Sequence, residues 1–184
     1  MAKTASKPLH LALMRGINLG SKNKLAMRDL AAAFEQLGCS DVTTRGNTGN
    51  VLFRAPAKLL KRLPEQVTAL LEQEFGVKSP VILRSHADLI AACEQNPFLA
   101  EGCDASKLHV AFLTVEPEPA RVEELDPDRS PPDRFAVIGR QIYMHCPEGL
   151  ARTKLSNAWF DSKLKTISTV RTWNVVNQLL ARMG

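Results

Sequence analysis

Two short polar stretches carry the residue types best suited to hold an anion. The first is Arg15-Gly16-Ile17-Asn18-Leu19-Gly20-Ser21-Lys22-Asn23-Lys24, and the second is Asn47-Thr48-Gly49-Asn50. Each sits at one end of an apolar run and mixes Gly with Asn. Arg15 offers a planar fork of donors that matches phosphate or carboxylate. An internal carboxylate partner is the competing reading, and for Arg15 both stay open. Lys22 and Lys24 precede an expected helix, whose N-terminus favours an anion. The spacing is not G-x-x-x-x-G-K-S/T, so a nucleotide-binding P-loop is excluded. Asn18, Asn47, Thr48 and Asn50 carry short polar groups that either bind a ligand or hydrogen-bond their own loops. For Asn18 the loop reading is the stronger, because Asn beside Gly ordinarily serves backbone.

A second basic set lies near the C-terminus. Arg152, Lys154 and Asn157 fall at the start of a helix expected over residues 153–164. Cations there oppose the helix dipole, a cost that a bound anion would relieve. The alternative is pairing with the acidic segment 116–138. Arg171 and Asn174 flank Trp173 where a last helix begins. Trp173 itself reads as a core or interface anchor. Candidates for acid–base work are few. His145 and Glu148 are three residues apart, and His109 sits mid-strand, where a core histidine is expected. Asp29 and Asp161 read as solvated helix residues. No Ser-His-Asp or Cys-His arrangement can be argued, and no paired carboxylates stand near the Gly/Asn loops. Cys39, Cys93, Cys103 and Cys146 are scattered without a Cys-x-x-Cys pair, so no metal site and no cofactor are expected.

The elements that must position these residues follow from apolar spacing. Leu9–Met14 is a short apolar run between Pro8 and Gly16, a strand buried on both faces or nearly so. Residues 27–37 place Met27, Leu30, Phe34 and Leu37 on one helical stripe, ended by Gly38. Residues 41–45 and Asn50–Arg54 are strands joined across Gly46-Asn47-Thr48-Gly49. Residues 64–75 form a helix with Val67, Leu70, Leu71 and Phe75 inward, and residues 57–63 can add a turn before it. Residues 79–84 are an edge strand. The order is β-α-β-β-α-β, the ferredoxin-like pattern. There the first strand lies antiparallel beside the third, so Arg15–Asn18 and Thr48–Asn50 become neighbours.

Beyond it, Ser85 and Asp88 resemble a capping box for a helix at 87–95, which Asn96-Pro97 stops. A strand at 108–115 and an acidic helix at 117–125 follow. Residues 126–133 are expected to be a mobile loop. The hairpin Arg134–Ile138 with Gln141–His145, the helix at 153–164, a brief strand at 167–170 and a helix capped by Thr172 complete the chain. The second half is thus β-α-β-β-α plus a C-terminal helix. It has the element order of a degraded duplication, without a clear sequence repeat. The division expected is residues 1–84 and 85–184, an α+β fold throughout.

The 184 residues are 45% apolar and 23% charged, an ordinary globular balance. Residues 1–54 carry eight basic and three acidic side chains, and residues 139–184 carry seven and two. Residues 116–138 carry three basic and seven acidic. Basic ends that met in space would attract an anion. No apolar window approaches a membrane span. The N-terminus has Lys3 and Lys7, but Leu9–Met14 is too short for a signal-peptide core, so a cytoplasmic location is expected.

With these blocks in view the sequence resembles the DUF1697 family, a bacterial family of unknown function, over nearly its whole length. The marks are Arg15-Gly16-Ile17-Asn18-Leu19-Gly20 with Lys22-Asn23-Lys24, then Thr48-Gly49-Asn50-Val51-Leu52-Phe53. Ile142-Tyr143, Pro147-Glu148-Gly149, Arg152-Thr153-Lys154-Leu155-Ser156-Asn157 and Thr169-Val170-Arg171-Thr172-Trp173-Asn174 follow in order. The chain departs from the pattern at Asn47 and Thr48, where Gln and Ser are usual, and at Arg45-Gly46. It departs again at Thr153, Val170 and Thr172. The resemblance implies an α+β fold with a ferredoxin-like N-terminal part and no established activity.

Three functions are therefore expected in order. The first is binding of a phosphate- or carboxylate-bearing ligand, nucleic acid among them, at the basic Gly/Asn loops. The second is an enzyme acting on a phosphorylated small molecule, and the third an interaction scaffold without a ligand. The first strand has no aromatic and the third only Phe53, which argues against base stacking of the RNA-recognition type.

Overall fold

The computed structural model describes residues 7–184; Lys3, counted above with the basic N-terminus, lies outside them. The chain divides into two compact units, one reaching Ala87 and the other Asp88–Arg182. The first contains β1 (Leu9–Met14), α1 (Met27–Gln36), β2 (Ser40–Arg45), β3 (Asn50–Arg54), α2 (Ala57–Leu60), α3 (Leu63–Phe75) and β4 (Val81–Ser85). Its strands form an antiparallel sheet in the order β2-β3-β1-β4. β1 is central, and Leu11, Ala12, Leu13 and Met14 are fully buried. Ala12, Met14, Val51 and Phe53 pack with Leu30 and Phe34 of α1 and Val67 and Leu71 of α3. The Phe34 and Phe53 rings lie 5.2 Å apart. Each such aliphatic or aromatic side chain contributes about 1.5–3 kcal/mol by leaving water, which is why the three-and-four spacing of α1 and α3 settles as helix. Gly38 and Gly76 follow these helices at positive φ, as helix ends require.

One expectation changes here. Phe75 is exposed, one turn beyond Leu71, the last residue of its stripe to be fully covered. α2 is a separate turn, and α3 starts at Leu63 with Pro64 in its first turn, where a missing N–H costs little. Ser85 is the last residue of β4, and α4 (His86–Glu94) follows without a break.

The second unit continues with α5 (Pro97–Ala100), β5 (Leu108–Leu113), α6 (Pro119–Glu123), β6 (Arg134–Ile138), β7 (Gln141–His145), α7 (Asn157–Leu164), β8 (Ser168–Thr172) and α8 (Trp173–Met183). Its sheet is also antiparallel, in the order β6-β7-β5-β8. Ala111, Leu113, Ile142 and Met144 pack with Phe160 and Leu164 of α7. Asn96 does more than end α4: its side chain accepts from Phe98 N at 3.1 Å and caps α5. Thr172 caps α8 by accepting from Val175 N at 3.3 Å. The loop expected to be mobile is pinned. Ser130 donates to Asp133 at 2.9 Å and accepts from Lys154 N at 3.0 Å, and both Ser130 and Asp133 are buried. No helix among the described residues is long and apolar enough to cross a membrane.

The two sheets correspond position by position. Leu11 is opposite Arg84 and Leu13 opposite Asn50, just as Val110 is opposite Arg171 and Phe112 opposite Gln141. His10 and His109 then occupy one register position, and Arg84 and Arg171, both buried, another. In each, Nη1 donates 2.8 Å to the preceding carbonyl, Leu83 or Val170. The exits of the first strands match too: Met14 N donates to Gly49 O at 2.8 Å, and Leu113 N to Arg140 O at 3.0 Å. Leu9-His10-Leu11-Ala12 and Leu108-His109-Val110-Ala111 are therefore equivalent segments. The repeat is hidden in the sequence because the connecting loops differ in length.

Candidate anion-binding site

The β1–β3 pairing carries the first strand out beside the β2–β3 turn, so the two Gly/Asn stretches adjoin. Asn18 joins them. Its Oδ1 accepts from Leu25 N at 2.9 Å, and its Nδ2 donates to Leu25 O and to Asn47 O, both at 2.9 Å. Asn18 sits at φ 55°, a conformation Asn tolerates better than most side chains. Asn23, also left-handed at φ 48°, donates from Nδ2 to Gly16 O at 3.0 Å. Asn50 is buried, and its Nδ2 donates to Arg45 O at 3.0 Å and to Thr48 Oγ1 at 3.3 Å. The amides thus hold the loops, in line with the backbone reading of Asn18. Asn23 joins this set, although its sequence context alone does not distinguish it from a solvent-facing loop residue.

Arg15 is fixed through its backbone. Its N donates to Pro80 O at 3.0 Å and to Ser79 Oγ at 3.1 Å, while Ser79 Oγ donates to Arg15 O at 2.8 Å. Ser79 gave no sequence signal, since a lone Ser before Pro is common in loops. Lys22 and Lys24 are exposed and make no ion pair among the described residues. Asn47 and Thr48 are exposed at the turn, and Arg45, the last residue of β2, is exposed beside them. One end of the first sheet therefore gathers Arg15, Asn18, Lys22, Lys24, Arg45, Asn47, Thr48 and Asn50.

The C-terminal set is arranged differently from expectation. α7 starts at Asn157 behind the cap Ser156, whose Oγ accepts from Trp159 N at 3.2 Å. Arg152, in a turn, and Lys154, at a bend, precede it and lie outside the helix. Arg152 pairs with Glu148 at 3.4 Å, both largely exposed, a contact worth about 1 kcal/mol or less. Asn157 Oδ1 lies 3.1 Å from the buried Ser168 hydroxyl and Asp161 Oδ1 2.7 Å from it. Asp161 is half-buried rather than solvated, because Ser168 offers it a donor. Arg171 lies in β8, not at a helix start, and Nη1 also donates to Thr169 Oγ1 at 2.9 Å. Burial pulls its guanidinium down to about 10, still cationic at neutral pH. Trp173 is buried and Asn174 exposed on the first turn of α8.

Nucleophile chemistry is disfavoured at two thiols: burial pushes Cys39 and Cys146 each up to about 11. All four cysteines are free. Among the described residues no three His, Cys, Asp or Glu side chains gather to hold a metal. Burial lowers His109 below its ordinary range, against the opposing pulls of the Lys107 backbone and Asp133. Its folded form is thus the weaker base, and the unfolded chain binds the proton more readily. The stability this contributes is complete above the unfolded value near ~6.5 and is lost as pH falls through it toward the folded value. Unfolding midpoints of the chain and of His109→Gln, measured from pH 7.5 to 5, should show a shallower decline in the variant; equal slopes would assign the pH sensitivity elsewhere.

The solved structure of a conserved bacterial protein from Streptococcus pneumoniae, SP0830, is similar in fold. The likeness covers 96% of this chain and 98% of that one, with 22% identity and a TM-score of 0.72. No curated protein matches the chain. A family model described as a protein of unknown function, DUF1697, matches residues 9–143. That span includes both Gly/Asn stretches and ends before Pro147 and the later basic blocks. On that match across most of its length, the chain belongs to the DUF1697 family.

Proposed function

We propose that the loop end of the first sheet binds an anionic, phosphate- or carboxylate-bearing ligand, with single-stranded nucleic acid the leading case. The observation that carries this is the set of three bonds by which Asn18 closes its own loop on Leu25 and ties it to Asn47 of the β2–β3 turn. It keeps Lys22, Lys24, Arg45, Asn47 and Thr48 on one end of a rigid sheet, without an acidic residue between Arg15 and Arg28. A preorganised basic platform binds an anion at a lower ordering cost than mobile lysines do. Backbone-led binding suits a surface whose β1 has no aromatic and whose Phe53 is in the core. A bacterial, cytoplasmic setting fits this reading, since four free thiols suit a reducing compartment.

Filter binding of a labelled oligonucleotide across a salt series tests the proposal. Affinity should fall with salt, by about 0.7 in the log–log slope per phosphate neutralised on a single strand. Lys22→Ala with Lys24→Ala should reduce that slope by about 0.7 for each lysine, with little dependence on sequence. Binding that is indifferent to salt, or to both lysines, would rule the site out. A thermal shift with a nucleotide or sugar phosphate, and none with the oligonucleotide, would make the ligand a small molecule.

A further inference from the structure

The two sheets have equivalent ends that differ in charge. In the first unit the strand exit leads to Leu19, 63% exposed and the most exposed large apolar side chain among the described residues. Leu19 stands at a tight turn closed by Lys22 N donating to Leu19 O at 3.2 Å. Lys22 and Lys24 flank it. In the second unit the same exit leads through Thr114 to Val115, 54% exposed and next in rank. Val115 stands near Ile167, which is 36% exposed and accepts from Thr114 N at 2.9 Å. Beside Val115 a groove of about 280 Å³ is lined by Glu116, Pro117, Pro119, Val122, Glu123 and Val137. Residues 116–138, which supply that lining, hold seven acidic and three basic side chains.

We propose that this acidic groove receives the Leu19 loop of a second copy of the chain. Leu19 covers Val122 and Val137 at the groove, and Lys22 and Lys24 meet Glu116 and Glu123. The groove is larger than a leucine side chain, and the charges on its rim are opposite to those beside Leu19. Leu19 stays exposed among the described residues, and seating it in the groove removes its apolar surface from water. The contact joins unlike surfaces, a loop of the first unit and a groove of the second, so it is heterologous rather than isologous. One loop in one groove is smaller than a standard interface, so association is weak, concentration-dependent and salt-sensitive. It shares Lys22 and Lys24 with the anion site, so the test separates the two.

Sedimentation equilibrium of the full chain, from tens of micromolar to about 1 mM in low salt, should give a mass rising above the 20.3 kDa monomer. Leu19→Asp and the double variant Glu116→Lys, Glu123→Lys should each weaken association by about tenfold or more. Circular dichroism and melting temperature should be unchanged, since all three residues are exposed. Mixed together, the two variants should form a 1:1 pair and no larger species, because each keeps the surface the other lacks. A monomer at every concentration, or a mixture that does not pair, would overturn the inference. Polyphosphate binding by the unaltered chain, at a concentration low enough for it to be monomeric, is measured alongside. Pairing without polyphosphate binding would leave the inference standing and remove the anion site; the reverse would do the opposite.

Discussion

Gly49→Ala is expected to lower the free energy of unfolding by about 2–5 kcal/mol. Two costs add. Gly49 sits at φ 74°, where a side chain costs about 1–2 kcal/mol. A Cβ there would also lie 2.5 Å from Met14 Cβ and 2.6 Å from Ile17 Cδ1. Ile17 can turn its terminal methyl away. Met14 Cβ cannot move without shifting β1, whose amide at Met14 bonds Gly49 O. Forced overpacking of this kind costs about 1–3 kcal/mol. Gly46→Ala provides the control. Gly46 is at φ 64° with nothing within 4 Å of an added Cβ, so only the backbone cost of about 1–2 kcal/mol applies. Denaturant midpoints of the two variants separate the terms: equal losses would mean that the close approach of β1 carries no weight.

Asn18→Ala carries the second-largest expected effect, about 2–4 kcal/mol. Three short hydrogen bonds disappear at about 0.5–1.5 kcal/mol each, and Ala tolerates φ 55° less well than Asn. Asn18→Gly recovers only the backbone part and should fall between the two. Asn18→Asp should be poor, since its carboxylate would face the Leu25 and Asn47 carbonyls in place of two N–H donors. The same variants bear on function. If Asn18 holds the basic loop against the turn, Asn18→Ala weakens oligonucleotide binding although Lys22 and Lys24 remain. Amide exchange of Lys22 and Leu25 should accelerate with it. A loss of stability below about 0.5 kcal/mol would show that the loops hold without Asn18.

The sequence was most legible where burial is enforced locally. Leu30 and Phe34 on α1, and Val67 and Leu71 on α3, are at spacings that only a helix can bury together. Leu9–Met14 is too short and too apolar to be anything but an inner strand. From their order came the adjacency of Asn18 and Asn47, 29 residues apart. Helix starts were less legible. Thr153 and Ser156 are both plausible caps, and the choice fell to Ser156 because Ser130 engages the Lys154 backbone from elsewhere in the unit. Nothing local to residues 153–157 reports that bond. Arg171 is hard to place for a related reason: Arg-Thr-Trp-Asn reads as a helix entry, yet pairing with β5 holds Arg171 in the strand.

By itself, then, the sequence determined the α+β class, the element order and the pairing that joins the two Gly/Asn loops. These rest on periodicity and on chain direction, which are local or nearly so. Tertiary structure alone decided which polar groups bind backbone and which stay exposed. Asn18, Asn23 and Asn50 became fixed in loop hydrogen bonds, while Lys22 and Lys24 remained exposed. It also decided that Ser168 engages Asp161 and that Arg84 and Arg171 are equivalent. A hydrogen bond depends on distances of tenths of an ångström between segments far apart in the chain, and residue spacing does not encode them.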